Sequence, residues 1–286
     1  MTYGPSDWAA LDSSGNVIAA TYTTVSAAPL VAGVFNDIVG DVAGGAGSAV
    51  DIPGIRFNDS TYHTVNIANS GTSRTFTCRG ILMTPNCVGA LIGGTAATSF
   101  IRPNRSSSGS SANTSWNIIQ NSTIGDLTIS ALLADASSST PVHMVKSGPG
   151  NLNISNPTAG GQSGGIDING GTLTAAAGAT LGGGRVTVNN TGRLVVNASN
   201  TTFVASIAVN SGGTNTIKVN TANAQQLIQG ATYNSGSTAC EFSYANGVSP
   251  STTTAPLLVS NLTANGSITV NVYCGFTPVG VFPLIK

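Results

Sequence analysis

Three phrases in the middle of the chain repeat one pattern: Ile166-Asp-Ile-Asn-Gly-Gly-Thr-Leu173, Val186-Thr-Val-Asn-Asn-Thr-Gly-Arg-Leu194 and Ile207-Ala-Val-Asn-Ser-Gly-Gly-Thr-Asn-Thr-Ile217. Each phrase opens with two apolar residues around a small or polar one. It then continues through Asn and a Gly-containing turn to a second apolar strand. The opening residues Ile166, Val186 and Ile207 are 20 and 21 residues apart. Self-similarity at a fixed period of this size is typical of a solenoid.

The alternation within each phrase predicts how the repeats stack. Successive side chains of a strand point to opposite faces, so Ile166 and Ile168 share one face and Asp167 takes the other. Since one repeat cannot bury its apolar face alone, the stack is the unit of stability. The predicted core ladder consists of Ile166, Ile168, Leu173, Val186, Val188, Leu194, Ile207, Val209 and Ile217.

Asparagine recurs just after the first strand of each phrase, at Asn169, Asn189 and Asn210. Asn tolerates the left-handed backbone conformation better than most residues, and its amide bonds to nearby backbone groups. We expect these residues to take that conformation where the chain turns.

Composition favours strands and turns throughout. The chain of 286 residues is 41% hydrophobic but only 7% charged, and polarity comes from Ser, Thr, Asn and Gly. Long charged helix formers are scarce and β-branched residues abound. The formal net charge is zero, so a nucleic-acid partner lacks the electrostatic attraction it requires. Without an apolar run of about 18 residues, we expect no membrane insertion in this segment.

Four cysteines, Cys78, Cys87, Cys240 and Cys274, are an even number that fits two disulfides. Sequence proximity favours the pairs Cys78–Cys87 and Cys240–Cys274, and free buried thiols are the alternative. Their spacing does not indicate zinc. Disulfides would indicate an oxidising, extracytoplasmic compartment.

The flanking regions are less regular. Trp8 to Ala20 predicts a strand, a Ser-Ser-Gly-Asn turn and a second strand, and Ala28 to Ala43 predicts a short helix or a loop. The Ser-rich segment Pro103 to Thr114 predicts an exposed loop. Later strands are expected at Pro256–Ser260, Ser267–Tyr273 and Val279–Ile285.

We divide the chain into three segments. Residues 1–56 form an N-terminal capping or irregular β segment, and 57–224 form the β-helix core. Residues 225–286 form a C-terminal β segment that either caps the stack or serves in assembly.

Three further phrases carry a family resemblance: Val145-Lys-Ser-Gly-Pro-Gly-Asn-Leu-Asn-Ile-Ser-Asn156, Gly164 to Leu173, and Leu181-Gly-Gly-Gly-Arg-Val-Thr-Val-Asn-Asn-Thr-Gly-Arg-Leu194. Together they resemble the passenger-associated repeat of bacterial autotransporters over about 50 residues. The corner from Asn156 to Gly165 departs from the family pattern and lacks its aromatic residue. The resemblance implies a right-handed parallel β-helix, secretion by a signal not present in this chain, and a structural or adhesive role at the bacterial cell surface.

Residues for catalysis are sparse. Beyond the N-terminal segment the acids are widely separated in sequence, and no acid–His cluster is expected. His63 and His143 are expected to be hydrogen-bonded or exposed strand residues, and Asp167 a surface group. Trp8, Tyr22, Tyr62 and Trp116 would stack on sugars if exposed, although Trp116 is expected in the core.

The sequence therefore predicts an all-β, elongated right-handed parallel β-helix without catalytic residues, metal or cofactor. We expect an extracellular structural module whose main partner is itself, end to end or laterally, in a fibre or sheath. A glycan-binding adhesin is the first alternative and a β-helical polysaccharide lyase the second.

Overall fold

The computed structural model describes residues 2–27, 29–42, 51–67, 75–93, 99–103, 114–135, 140–156, 162–199, 202–236, 238–275 and 280–286. All regular secondary structure within those ranges consists of β-strands. They are β1 (Thr2–Tyr3), β2 (Asp7–Leu11), β3 (Val17–Ala19), β4 (Tyr22–Val25), β5 (Phe35–Ile38), β6 (Asp51–Ile52), β7 (Ile55–Phe57), β8 (His63–Asn66), β9 (Thr75–Cys78), β10 (Gly80–Met83), β11 (Ala90–Gly93), β12 (Phe100–Arg102), β13 (Thr114–Gln120), β14 (Leu127–Ile129), β15 (Leu132–Leu133), β16 (Val142–Ser147), β17 (Asn151–Ile154), β18 (Ile166–Ile168), β19 (Thr172–Ala175), β20 (Arg185–Val188), β21 (Arg193–Asn197), β22 (Thr202–Val209), β23 (Thr214–Val219), β24 (Gln226–Tyr233), β25 (Thr238–Tyr244), β26 (Leu257–Ala264) and β27 (Ile268–Tyr273).

Three parallel sheets carry most of these strands, which makes the fold all-β and solenoid-like. The first sheet has 11 strands, in the order β4-β5-β7-β10-β13-β16-β18-β20-β22-β24-β26. The second has nine, β8-β11-β14-β17-β19-β21-β23-β25-β27, and the third has four, β6-β9-β12-β15. From β7 to β15 each coil, meaning one pass of the chain through the sheets, adds a strand to all three. From β16 onward it alternates between the two long sheets.

The interior is one hydrophobic cluster between the sheets, mostly aliphatic, extending from Val25 to Leu257. Inward residues stack in register from coil to coil, as in Ile166↔Val186↔Ile207. Each fully buried aliphatic side chain contributes about 1.5–3 kcal/mol, so stability accumulates between neighbouring coils rather than around a single centre.

A separate three-stranded antiparallel sheet, β1-β2-β3, lies against the flank of the 11-stranded sheet. We call this small sheet the hairpin. Asp12 closes its turn by accepting hydrogen bonds from the backbone amides of Ser14 and Asn16, both at 2.8 Å. These contacts agree with the predicted strand, turn and strand from Trp8 to Ala20.

Trp8 anchors this hairpin. Its ring lies over Gly54 and Gly80, and its indole NH donates to the carbonyl of Ile55 at 3.1 Å. A Cβ on Gly80 would come 2.7 Å from the ring, so glycine is required there for the close approach.

The prediction of a helix or loop for Ala28 to Ala43 is wrong for part of that segment, because Phe35–Ile38 forms β5. One of its two inward residues is the polar Asn36, whose side chain exchanges hydrogen bonds with the backbone of Val31 at 2.8 and 2.9 Å. The other, Ile38, is fully buried in the core. The outward residue Phe35 is covered by Trp8. The apolar-inward pattern of the strand is thus interrupted at Asn36.

Two further predictions concern the strand expected at 279–285 and the loop expected at 103–114. Val279–Ile285 is not a strand in its described part, where Ile285 makes a single bridge to Leu257. Of the predicted loop at 103–114, residues 104–113 lie outside the described residues.

Candidate functional site at the surface ladders and the C-terminal edge

All nine residues of the predicted core ladder lie in the buried cluster. In the first sheet the pairs follow the repeats, with Ile168, Val188 and Val209 in one column. The second sheet departs after Leu194. Leu194 stacks on Asn215, and Ile217 stacks on Val196, so the repeat slips by two residues there.

The slip places a polar cluster in the interior. Asn215 is fully buried, and its side-chain amide donates to the hydroxyl of Tyr233 at 3.4 Å. Cys240 stacks on Asn215 in the next coil. Burial raises the pKa of Cys240 to about 11, so this thiol stays protonated and unreactive at neutral pH.

A ladder of side-chain amides runs along the outside of the 11-stranded sheet. Each asparagine donates through Nδ2 to Oδ1 of the asparagine one coil earlier, at 2.9, 2.5, 2.7 and 2.9 Å in turn. The members of this asparagine ladder are Asn169, Asn189, Asn210, Asn234 and Asn265.

The expected left-handed conformation at Asn169, Asn189 and Asn210 is wrong. The positive φ of 48° belongs to the next residue, Asn190. The backbone NH groups of Asn169, Asn189 and Asn210 donate to carbonyls of the preceding coil, and their side chains bond to the neighbouring coil instead of their own backbone. The sequence showed the first three residues of the ladder, 20 and 21 positions apart, but not its extension to Asn234 and Asn265, which follow after 24 and 31 positions.

Lys146 is fully buried in the same sheet, stacked between Ile118 and Ile168. Its ammonium group reaches the corner and donates to the carbonyls of Gly148 at 2.7 Å, Gly150 at 2.6 Å and Gly170 at 2.7 Å. Burial lowers the pKa of Lys146 to about 7. The three carbonyls oppose this shift because only the charged form can donate three hydrogen bonds.

Sequence reasoning missed this role of Lys146. The available signal was a lysine at an inward position of the repeat, in a chain with three lysines, two residues before Gly148 of a Gly-Pro-Gly turn. Lys146 therefore ties two successive corners of the stack together.

None of the four cysteines is in a disulfide in the structure, so the disulfides expected from spacing are not formed there. Cys240 lies opposite Val270, and Cys274 is four residues beyond Val270. At about 3.3 Å per residue that is about 13 Å along the strand, whereas a disulfide needs Cα atoms within about 7 Å. The Sγ of Cys78 donates to the Gly80 carbonyl at 2.9 Å, and burial raises its pKa to about 12.

Both histidines are strand residues with hydrogen-bond partners, as expected, and each is paired with an acid that the sequence did not indicate. His63 lies 2.8 Å from Asp59, and His143 lies 2.9 Å from Asp167 and 2.9 Å from the carbonyl of Gly164. Burial acts to lower the pKa of His143, but the bonds to Gly164 and Asp167 outweigh it and raise that pKa. The two pairs are on different sheets.

Two larger charged clusters lie on outer sheet faces. Arg56 bonds to Asp37 at 2.6 Å and to Asp7 at 2.5 Å, and its guanidinium sits 3.7 Å from the centre of the Tyr22 ring. This cluster ties the hairpin to the sheet.

Glu241 accepts hydrogen bonds from Arg193, from Thr216 at 3.0 Å and from Tyr273 at 3.4 Å. The cluster contains one carboxylate, whereas glycoside hydrolysis uses a pair. Across the described ranges, no group of three or more His, Cys, Asp or Glu side chains is placed to hold a metal ion.

The C-terminal edge is formed by β26 and β27, the last strands of the two long sheets. Among the described residues, backbone pairing on the outer side of β26 is confined to its start, where Leu257 and Val259 exchange hydrogen bonds with Leu284 and Lys286. Val270 and Val272 occupy inward positions above the buried Cys240 and Phe242, yet both are exposed. Inward apolar side chains thus face solvent at this edge.

At the opposite end of the stack, Leu30 and Val42 are buried beside Val65 and Phe76 of the first coils. Val31 and Val34, close to Leu30 in the chain, are exposed. Apolar side chains are therefore exposed near both ends of the stack.

Comparison of the chain with protein-family models, with curated proteins and with solved structures gave no match. Within the part of the chain that the structure describes, no helix is long and apolar enough to cross a membrane.

Proposed function

We propose that this chain is an extracellular structural protein, a right-handed β-helical module that self-associates into a surface fibre or sheath. The observation that carries the proposal is the C-terminal edge, where inward residues such as Val270 are 49% exposed above a packed interior. Unpaired strand edges with apolar side chains promote pairing with another chain.

The chemistry of the edge supports the same proposal. Neither β26 nor β27 contains a charged residue. Charged residues, lysine above all, are the usual protection of an exposed sheet edge against association. With that protection absent from both strands, a second copy of the chain fits this edge.

Assembly with other copies requires no change in the interior, because the stack is a series of nearest-neighbour contacts. A second copy would extend the aliphatic columns above Cys240 and Phe242. The right-handed path of the coil, the cell-surface location and the exported state belong to the proposal and rest on the resemblance to passenger repeats.

Electron microscopy and sedimentation velocity of the purified chain test the proposal. The wild-type chain should form end-to-end rods whose length grows with protein concentration. The double variant Val270→Lys/Val272→Lys should remain monomeric, since it places charge on the exposed apolar columns.

The double variant Thr187→Lys/Thr232→Lys is the matched control, because it adds the same charge on the side of the stack. It should assemble like the wild type. Monodisperse single rods of the wild type at high concentration would overturn the proposal. If the control lost assembly and the Val270/Val272 variant kept it, the copies would associate by lateral packing and not end to end.

A further inference from the structure

Three turns of successive coils place exposed apolar side chains at one corner of the solenoid. Tyr62 precedes β8, Val88 precedes β11 and Ile124 precedes β14. Tyr62 is 51% exposed and Ile124 is 66% exposed. Together with Asp126, Thr128 and Asn153 they line an open groove of about 390 Å³.

The aromatic ring in this groove is held by glycine. Gly89 has a φ of +147°, which other residues rarely adopt, and a Cβ there would lie 2.8 Å from Cδ2 of Tyr62. The ring therefore packs closely on the Gly89 backbone while half of its surface stays open to solvent.

The carboxylate in the groove is also fixed. Oδ1 of Asp126 accepts a hydrogen bond from Asn151 at 3.0 Å, and Oδ2 accepts one from Asn153 at 2.9 Å. Each carboxylate oxygen has further acceptor capacity. Two oriented acceptors thus lie beside an exposed aromatic ring.

We propose that this groove binds a neutral hexose oligosaccharide. The apolar faces of the sugar rings would pack on Tyr62 and Ile124, as apolar ligand surface does in aromatic-lined sites. Adjacent sugar hydroxyls would donate to Asp126, and Thr128 and Asn153 supply further polar groups.

The charge of the groove decides the class of sugar. Its lining contains one carboxylate and no Lys or Arg. A uronate or sulfated glycan would bring a like charge towards Asp126 without a compensating cation, whereas a neutral glycan replaces water at the carboxylate without that repulsion.

Isothermal titration calorimetry with cellohexaose, maltohexaose, mannohexaose and polygalacturonate tests the proposal. At least one neutral hexaose should bind saturably, and Tyr62→Ala and Asp126→Asn should each weaken that binding at least about tenfold. The control Tyr3→Ala removes a tyrosine of equal exposure, 50%, from the hairpin. It should bind like the wild type.

Absence of saturable binding to all three neutral hexaoses at about 10 mM would overturn the proposal. So would binding that Tyr62→Ala leaves unchanged, or binding of polygalacturonate alone. Thermal unfolding of each variant separates loss of the groove from loss of the fold. The sugar experiment is independent of self-association, because the C-terminal edge contributes no residue to the groove.

Discussion

Lys146 Nζ lies 2.6 Å from the carbonyl oxygen of Gly150, inside the corner that follows β16. With the carbonyls of Gly148 and Gly170 it forms a three-acceptor cage from two successive coils. Replacement by Met keeps the apolar stem and leaves the three carbonyls without their donor. Because a buried acceptor without a partner costs about 1–3 kcal/mol, Lys146→Met should lose about 2–4 kcal/mol in urea unfolding. The control Lys218→Met, at an exposed lysine, should change stability little.

The same lysine should make stability depend on pH. Its pKa is lowered from 10.5 to about 7 on folding, so the unfolded chain binds more protons between those values. Stability contributed by this group therefore rises as pH increases from about 7 to 10.5 and is at its lowest below pH 7. The difference in unfolding free energy between the wild type and Lys146→Met should increase by about 1–2 kcal/mol between pH 7 and pH 9. A constant difference would show that the carbonyl cage keeps the ammonium charged throughout.

The asparagine ladder should show position-dependent energetics. Asn210 both donates to Asn189 and accepts from Asn234, whereas Asn265 has one ladder bond. At about 0.5–1.5 kcal/mol per hydrogen bond, Asn210→Ala should lose about 1–2 kcal/mol and Asn265→Ala about half as much. Equal losses at the two positions, measured by denaturant unfolding, would mean that the ladder bonds do not contribute individually.

Docking of the hairpin should depend on the absence of a side chain at Gly80. In Gly80→Ala the new Cβ would come 2.7 Å from the Trp8 ring, so the hairpin should detach. Hydrogen exchange of residues 2–20 should then rise towards that of Trp8→Ala. Gly183→Ala is the matched control, because a Cβ there meets nothing within 4 Å. If the hairpin of Gly80→Ala kept the wild-type protection from hydrogen exchange, the close contact between Trp8 and Gly80 would not be required for docking.

Thiol reactivity should distinguish free cysteines from disulfides. Cys78, Cys87 and Cys240 are buried and burial raises the pKa of each, whereas Cys274 is partly exposed. A chromogenic disulfide reagent should label one thiol per folded chain, and four after denaturation without reductant. Two or fewer thiols in the denatured chain would restore the disulfide prediction.

Strand stacking at the centre of the chain was predictable because the coils there are nearly equal in length. Ile168, Val188 and Val209 share a column at 20 and 21 residues. Elsewhere the same column joins Ile81 to Ile118 and Tyr233 to Ala264, 37 and 31 residues apart. Because the corners there differ in length, the sequence shows no constant period, although the strands stack in the same way.

Other features could not be predicted because they depend on contacts between coils. The inward position of Asn36 in β5 could not be predicted, because a polar inward residue interrupts the apolar alternation. Its hydrogen bonds to the backbone of Val31 become visible only in the folded chain. The groove beside Tyr62 gathers residues from four coils, up to Asn153 on β17. The two-residue slip at Asn215 depends on the length of one turn. The pair of His143 and Asp167 likewise joins residues of neighbouring coils, 24 positions apart.

The docking of Trp8 on the 11-stranded sheet determines when the hairpin can fold relative to the coils. Neighbouring coils contact each other as soon as each new one is complete, but the hairpin binds residues much later in the chain: Trp8 bonds Ile55, and the Pro5 carbonyl accepts from Asn121, 116 positions away. Closing such long loops is entropically costly until the distant surface exists. The earliest residues of the chain should therefore be among the last to become protected, since their binding surface is complete only after β13 has joined the sheet.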